Sequence, residues 1–344
     1  MKRIIVIPGV LLLSLGVLLS CQNDDWEFPD FDYTTAYFPY QFPVRTLVLG
    51  DYNFDNTADN EHKFMISATM GGVYENKSDV TVEFVVDETL TDNLVNGNTG
   101  NLPILAMPAS YYTISSNQIV IPKGQTYGMV EVQLTPDFFA DPLAIGQNYV
   151  IPLKMVSAST DSVLQGKPNI SNPDPRIVGN WVLAPKNFTL FVVRYVNEYH
   201  GKYLLRGASE IRTTADNELV ENIKYHQVYV ERDEVITVTT TSLNSVIYSH
   251  AVRASAGSPG TFRMEITFDE DGNGVITETD NSDFAVTGTG KFVKDADEWG
   301  NEKRNAIYLD YEITEGTNMH HVADTLVFRD KAVKFEEFRP VVIP

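Results

Sequence analysis

From residue 186 onward, apolar and polar residues alternate in about ten successive segments separated by short turns. They begin with KNFTLFVVRYVN (186–197), GKYLLRGASEIRT (201–213), NIKYHQVYVER (222–232) and EVITVTTTSLN (234–244). They continue through SVIYSHAVRAS, GTFRMEITFD, GVITETD, DFAVTGTGKFVKD, NAIYLDYEIT and HVADTLVFRDK. Alternation with period two puts every second side chain on one face, so each segment reads as a strand with one buried side. A long series of antiparallel strands must dispose of its unpaired edges, and closing the sheet on itself removes them. The expectation is an all-β chain whose residues 181–344 form an antiparallel barrel, with a second sandwich as the alternative.

The first half is also β, in shorter pieces. VTVEFVVDE (80–88), NQIVIPKGQTYGMVEVQLTP (117–136) and NYVIPLKMVSAS (148–159) read as strands, and no stretch of helical period reaches a convincing length. Several short strands punctuated by turns predict an antiparallel sandwich over 33–164. Between the two units, QGKPNISNPDPRIVGN (165–180) places Pro168, Pro173 and Pro175 among Gly and Asn, which reads as extended linker.

The N-terminus carries different information. Lys2 and Arg3 precede an apolar run from Ile4 to Leu19, the layout of an export signal spanning 1–20. Leu18-Leu19-Ser20-Cys21 fits a bacterial lipobox, in which the thiol is acylated and the chain is cut just before it. Cys21 is the only cysteine in 344 residues, so it has no intramolecular disulfide partner. Residues 21–32 then read as a tether. Cutting before Cys21 leaves 24 Lys and Arg against 46 Asp and Glu, a formal charge near −22. That balance argues against nucleic acid, which needs clustered cations, and against adsorption to anionic lipid. Attachment to the membrane falls to the lipid.

Gln22-Asn23-Asp24-Asp25 resembles the acidic tag of surface-exposed Bacteroidetes lipoproteins. YVNEYHGKYLLRG (195–207), DADEWGNEKRNAIYLDYEI (295–313) and LGDYNFDNTADNEHKF (49–64) resemble Bacteroidetes surface lipoproteins that join an immunoglobulin-like domain to a lipocalin-like (calycin) domain. Such proteins are commonly encoded with starch-utilisation-type glycan uptake systems. The resemblance implies an immunoglobulin-like sandwich, a lipocalin-like barrel, an outer-membrane lipoprotein facing the cell exterior, and outer-membrane importer proteins as partners.

Candidate sites are few. DEDGNGVITETD (269–280) places Asp269, Asp271, Asn273 and Asp280 near the spacing of an EF-hand loop, and calcium is the cofactor such a loop would take. Strand-like flanks and the Asp-Gly and Asn-Gly pairs favour a hairpin turn instead. A second acidic loop, GDYNFDNTADNE (50–61), lacks the central glycine and reads as solvated. His320 and His321 adjoin on a strand, so they face opposite sides and do not share an ion. No nucleophile elbow, phosphate loop, dinucleotide fingerprint or zinc motif occurs, and 46 acids guarantee chance carboxylate pairs.

Trp299, in a charged loop, with Tyr199 and His200 at a strand start, are the candidates for contact with a sugar, whose apolar face stacks on aromatic rings. Packing competes with ligand contact at each. Together these observations point to a noncatalytic surface glycan-binding accessory of a polysaccharide uptake system. A protein-binding scaffold or adhesin-like component is the second reading, and a glycan hydrolase the third.

Overall fold

The structure, a computed structural model, describes residues 31–343. The signal segment, Cys21 and the acidic tag lie outside the described residues. The chain is all-β, with a two-sheet sandwich followed by a closed eight-stranded antiparallel barrel.

One sandwich sheet orders Ser162–Val163, Thr35–Tyr37, Lys63–Gly71, Tyr127–Leu134 and Tyr112–Ile114. Its alternation is legible in Lys63–Gly71, where Phe64, Ile66, Ala68 and Met70 are buried and Met65 is exposed. The facing sheet contains Pro43–Val48, Phe188–Val196, Tyr149–Ala158, Val80–Val86 and Gln118–Ile121. Phe138, Phe139 and Tyr195 pack as an aromatic group within the core between them.

Phe188–Val196 departs from the sequence reading, which placed it in the barrel. It pairs parallel with Pro43–Val48 and antiparallel with Tyr149–Ala158, in the middle of the second sandwich sheet. Both its faces are apolar. Val193 and Tyr195 enter the sandwich core, whereas Phe188, Leu190 and Val192 join a second cluster with Leu90, Leu94, Ile104 and Phe338 on the sheet's outer side. A strand covered on both faces cannot serve a barrel with a solvated exterior.

The stretch read as a linker is folded. Lys167–Pro168 pairs with Trp181–Leu183, and Arg176 bridges to Asp174 at 2.7 Å. Arg176 Nη1 also donates to the carbonyls of Leu90 and Asp92, pinning this loop to the sandwich. The chain's last strands return there as well: Glu336–Glu337 pairs with Pro43–Val44, and Pro340–Val342 with Leu94–Asn96.

The barrel closes where Gly201–Thr213 pairs with Asn318–Asp330 over most of their length. At the end facing the sandwich its interior is filled by rings. Tyr199 stacks on Phe268 with centroids 4.2 Å apart, and Tyr203 meets Phe328 edge-on. The same end is fastened by Lys331, buried, whose Nζ donates to the carbonyls of Leu49, Asn197 and Glu198. Lys294 adds exposed bridges to Asp51 and Glu198.

The opposite, distal end is built differently. The edge of Gly201–Thr213 away from the closure is shared by two short strands. Glu234–Val238 covers residues 201–205, and Leu219–Tyr225 covers residues 207–212. The ladder from Glu234–Thr240 to Ser245–Ala251 runs only from Val238–Thr240 to Val246–Tyr248. Beyond it, Leu219–Tyr225 meets the segment that follows Ser245–Ala251 through side chains, with Arg253 on the Tyr225 ring and Ser255 donating to Glu221.

Candidate functional site at the distal barrel mouth

Inward positions at the distal end depart from the apolar rule. On Asn318–Asp330 the inward phase runs His320, Val322, Asp324, Leu326, so an acid and an imidazole enter the interior. Asp324 is only 3 % exposed and accepts hydrogen bonds from the hydroxyls of Tyr225 and Tyr311, the latter at 2.8 Å. Burial pushes its carboxyl above the ordinary aspartate range, and the two phenols offset that in part. Burial likewise raises Tyr225, Tyr248 and Tyr311, with the Asp324 charge adding to it. Gly207 makes the arrangement fit. It lies directly across from Tyr225 on one side and from Asp324 on the other, and the hydrogen bond between them passes over its missing side chain.

Outside this buried group sits a charged one. Arg253 lays its guanidinium 4.2 Å from the Tyr225 ring centroid and pairs with Glu234 at 2.5 Å. His250 Nε2 is 3.0 Å from the other Glu234 oxygen. Burial disfavours the Glu234 charge, but the bonds from Arg253 and His250 outweigh it and hold the carboxyl below its usual range. Glu221 accepts from the hydroxyl and backbone N–H of Ser255, closing the seam further out.

Space surrounds the seam on both sides. A cavity of about 300 Å³ is lined by Ile223, His250 and residues 251–255 with Ser258; another of about 330 Å³ is lined by Tyr225, His226, Gln227, Asp233 and Glu234 among others. Arg253 is the residue common to both. Behind them, among Tyr248, Tyr311 and Asp324, lies a space of about 10 Å³, the room of a single water. Ser209 Oγ and His320 Nδ1 border that space, and both are buried without a hydrogen-bond partner. The chemistry on offer is therefore a ring face that Arg253 covers, the guanidinium itself, a carboxylate and neutral polar groups beside open space.

The residues singled out from the sequence lie elsewhere. Tyr199 belongs to the aromatic packing at the sandwich end and is not a surface platform. His200 is mostly buried; its Nδ1 accepts from the Thr240 N–H at 3.1 Å, and burial with the nearby Lys331 and Arg194 charges lowers it to about 4. Trp299 spends its indole N–H on the Phe328 carbonyl at 3.0 Å, and Arg304 covers its ring at 4.3 Å. These three are packing and junction residues.

The calcium candidates do not converge. Asp269 accepts from the backbone and side-chain nitrogens of Asn273 across a turn made by Gly272 at φ 77°. Lys291 Nζ, a cation, occupies the Asp271 carbonyl and Asn273 Oδ1. Asp280 follows the far end of strand Asn273–Glu278. Among the described residues no group of three or more His, Cys, Asp or Glu is placed to hold a metal ion. In the 50–61 loop, Asp59 is not solvated: it is buried against the Val48 N–H and Arg45. His320 and His321 do face opposite sides, bonded to Glu315 and Glu312.

Comparison with solved structures finds a Bacteroides ovatus protein of unknown function at 41% identity, with TM-score 0.85, covering 91% of this chain and 100% of the other. The chain belongs to its family. Within it, residues 198–332 match DUF5627, a domain of unknown function, and residues 31–162 match a family described as an N-terminal domain. The DUF5627 match begins just after Phe188–Val196, where the barrel begins in the structure. Two further Bacteroides ovatus structures are more distant. A multidomain protein including DUF1735 shares 14% identity over 89% of this chain and 100% of its own, with TM-score 0.44. A protein whose name proposes carbohydrate binding shares 12% over 87% and 98%, with TM-score 0.28. No curated protein matches the chain.

Sequence reasoning missed Tyr225, Glu234, His250, Arg253 and Asp324. A signal was present for two of them, Asp324 and His250, and His320 shares it. Asp324, His250 and His320 occupy the apolar phase of otherwise alternating strands, which places a polar group inside and calls for a reason.

Proposed function

We propose that the protein is a noncatalytic cell-surface lipoprotein, anchored through Cys21 in the outer membrane, that binds glycan at the distal barrel mouth as an accessory to polysaccharide uptake. The observation that supports this reading is the Tyr225 ring at the seam, which with Glu234, His226 and Gln227 lines one of two cavities of sugar-unit size that share Arg253. Pyranose rings present apolar faces to aromatic rings and hydroxyls to carboxylates and amides, and this mouth offers both once Arg253 moves off the Tyr225 ring. The test is binding of the full chain to a polysaccharide panel. Binding that is lost in Tyr225→Ala and kept in Trp299→Ala supports the reading. A panel with no binder defeats it.

One observation favours a protein-binding scaffold as the second reading. Val178, Val182 and Leu183 are 74, 68 and 54 % exposed on the folded loop around Trp181, an apolar group of the kind that marks contact surfaces. Recovery of an importer component by the wild-type chain, lost on Val178→Asp with Val182→Asp, would support it.

A further inference from the structure

Arg253 occupies the most ligand-like position in the molecule. Its guanidinium covers the Tyr225 face at 4.2 Å, its Nη2 is taken by Glu234, and it is the residue shared by the two mouth cavities. A cation over a phenol ring beside a carboxylate is a recognition arrangement for an organic cation. Here the chain's own side chain fills it.

Two features make Arg253 displaceable. It follows the end of strand Ser245–Ala251, on the segment leading to the next strand, and no backbone ladder crosses the seam there. Its anchor Glu234 keeps a second partner, His250, so the carboxylate remains held when the guanidinium leaves. Moving Arg253 away would uncover the Tyr225 face and one Glu234 oxygen together. The two cavities would then open onto the place that Arg253 leaves.

We infer that Arg253 is a built-in competitor for this site, and that the ligand that displaces it carries a protonated amine, with Tyr225 and Glu234 receiving the ammonium and the flanking cavities receiving the rest. Within the glycan reading, on which this inference rests, that makes the ligand an amine-bearing oligosaccharide. The chain's net charge of −20 adds long-range attraction for such a cation and repels uronate-rich glycans.

The experiment titrates the full chain at about pH 6, where the amine and the carboxylate are both charged, with three oligosaccharides of equal length. They are a β-1,4-glucosamine oligomer, its fully N-acetylated form, and a β-1,4-glucose oligomer. The expected result is tighter binding of the amine form by about tenfold or more. Arg253→Ala should raise that affinity by about tenfold, because the competitor is gone, and Glu234→Gln should lower it by a similar factor. Circular dichroism confirms that both variants are folded. Equal affinity for the three oligomers, or weaker amine binding in Arg253→Ala, overturns the inference. The glycan reading survives that outcome wherever any oligomer or panel polysaccharide binds and Tyr225→Ala abolishes it. Absence of all glycan binding defeats both.

Discussion

Replacing Gly207 by alanine adds one methyl group at the point where the barrel's buried acid meets its phenol partner. The new Cβ would stand 2.3 Å from Asp324 Oδ1, 2.5 Å from the Ala323 carbonyl oxygen and 3.0 Å from Tyr225 Cε2. The Ala323 oxygen belongs to the closing ladder and cannot yield without bending it. The carboxylate must therefore move, away from the Tyr225 hydroxyl. Losing a buried hydrogen bond to a charged group costs about 1.5–3 kcal/mol, and forcing an extra carbon into a packed site costs about 1–3 kcal/mol. Alanine returns roughly 0.5–1 kcal/mol through its lower backbone entropy in a strand. The net expectation is a loss of about 2–5 kcal/mol, read as a lower urea midpoint for the barrel transition. Gly179→Ala is the control: nothing lies within 4 Å of its would-be Cβ, and its midpoint should hardly change. A loss below about 1 kcal/mol in Gly207→Ala would refute the geometry. So would a Tyr225→Phe substitution that costs as much in the Gly207→Ala background as in the wild type, since the bond should already be broken there.

The buried ionisable groups give two pH predictions of opposite sign. Asp324 has a folded pKa above its unfolded value, so its contribution is full below the unfolded value of about 3.9 and is lost as pH rises through the folded one. Wild type should therefore lose stability relative to Asp324→Asn as pH rises from about 4 toward neutrality, measured by paired urea midpoints. Lys331 is lowered to about 8 by burial, so the unfolded chain holds more protons between that value and about 10.4. Wild type should gain stability relative to Lys331→Met as pH rises from about 8 to 10, before the tyrosines ionise. Calcium should leave the thermal midpoint unmoved, because Lys291 already holds the Asp271 and Asn273 oxygens; a rise with added calcium would show that the turn rearranges around the ion.

Much of the architecture was legible because β structure writes itself in period two. The barrel strands from Gly201 onward carry that alternation clearly, and their short turns imply closure. Phe188–Val196 misled for a physical reason: a strand buried on both faces lacks the alternation that would report its sheet, so adjacency in sequence was the available guide. The Pro-rich stretch misled because composition records backbone preference and not anchoring. Nothing in it announces that Arg176 will reach the Leu90 carbonyl 86 residues away. The site was least legible. Tyr225 and Arg253 meet through the seam, a property of which strands stop pairing and where, and each residue alone looks like an ordinary surface aromatic or cation.

That seam also explains why the proposed site lies at the distal end. At the sandwich end, stacked rings and the three carbonyl bonds of Lys331 leave no freedom for a ligand to enter without breaking the junction. At the distal end one barrel edge is divided between two short strands, so the wall there is held by contacts that can exchange. A guanidinium on a phenol ring is worth about 0.5–2 kcal/mol and an exposed ion pair about 0–1 kcal/mol, which an incoming cation can replace in kind. The backbone ladders on either side cannot be traded that way. The mouth is therefore where the proposed ligand would enter without unfolding the barrel, and the polar residues set on its inward phase are concentrated there.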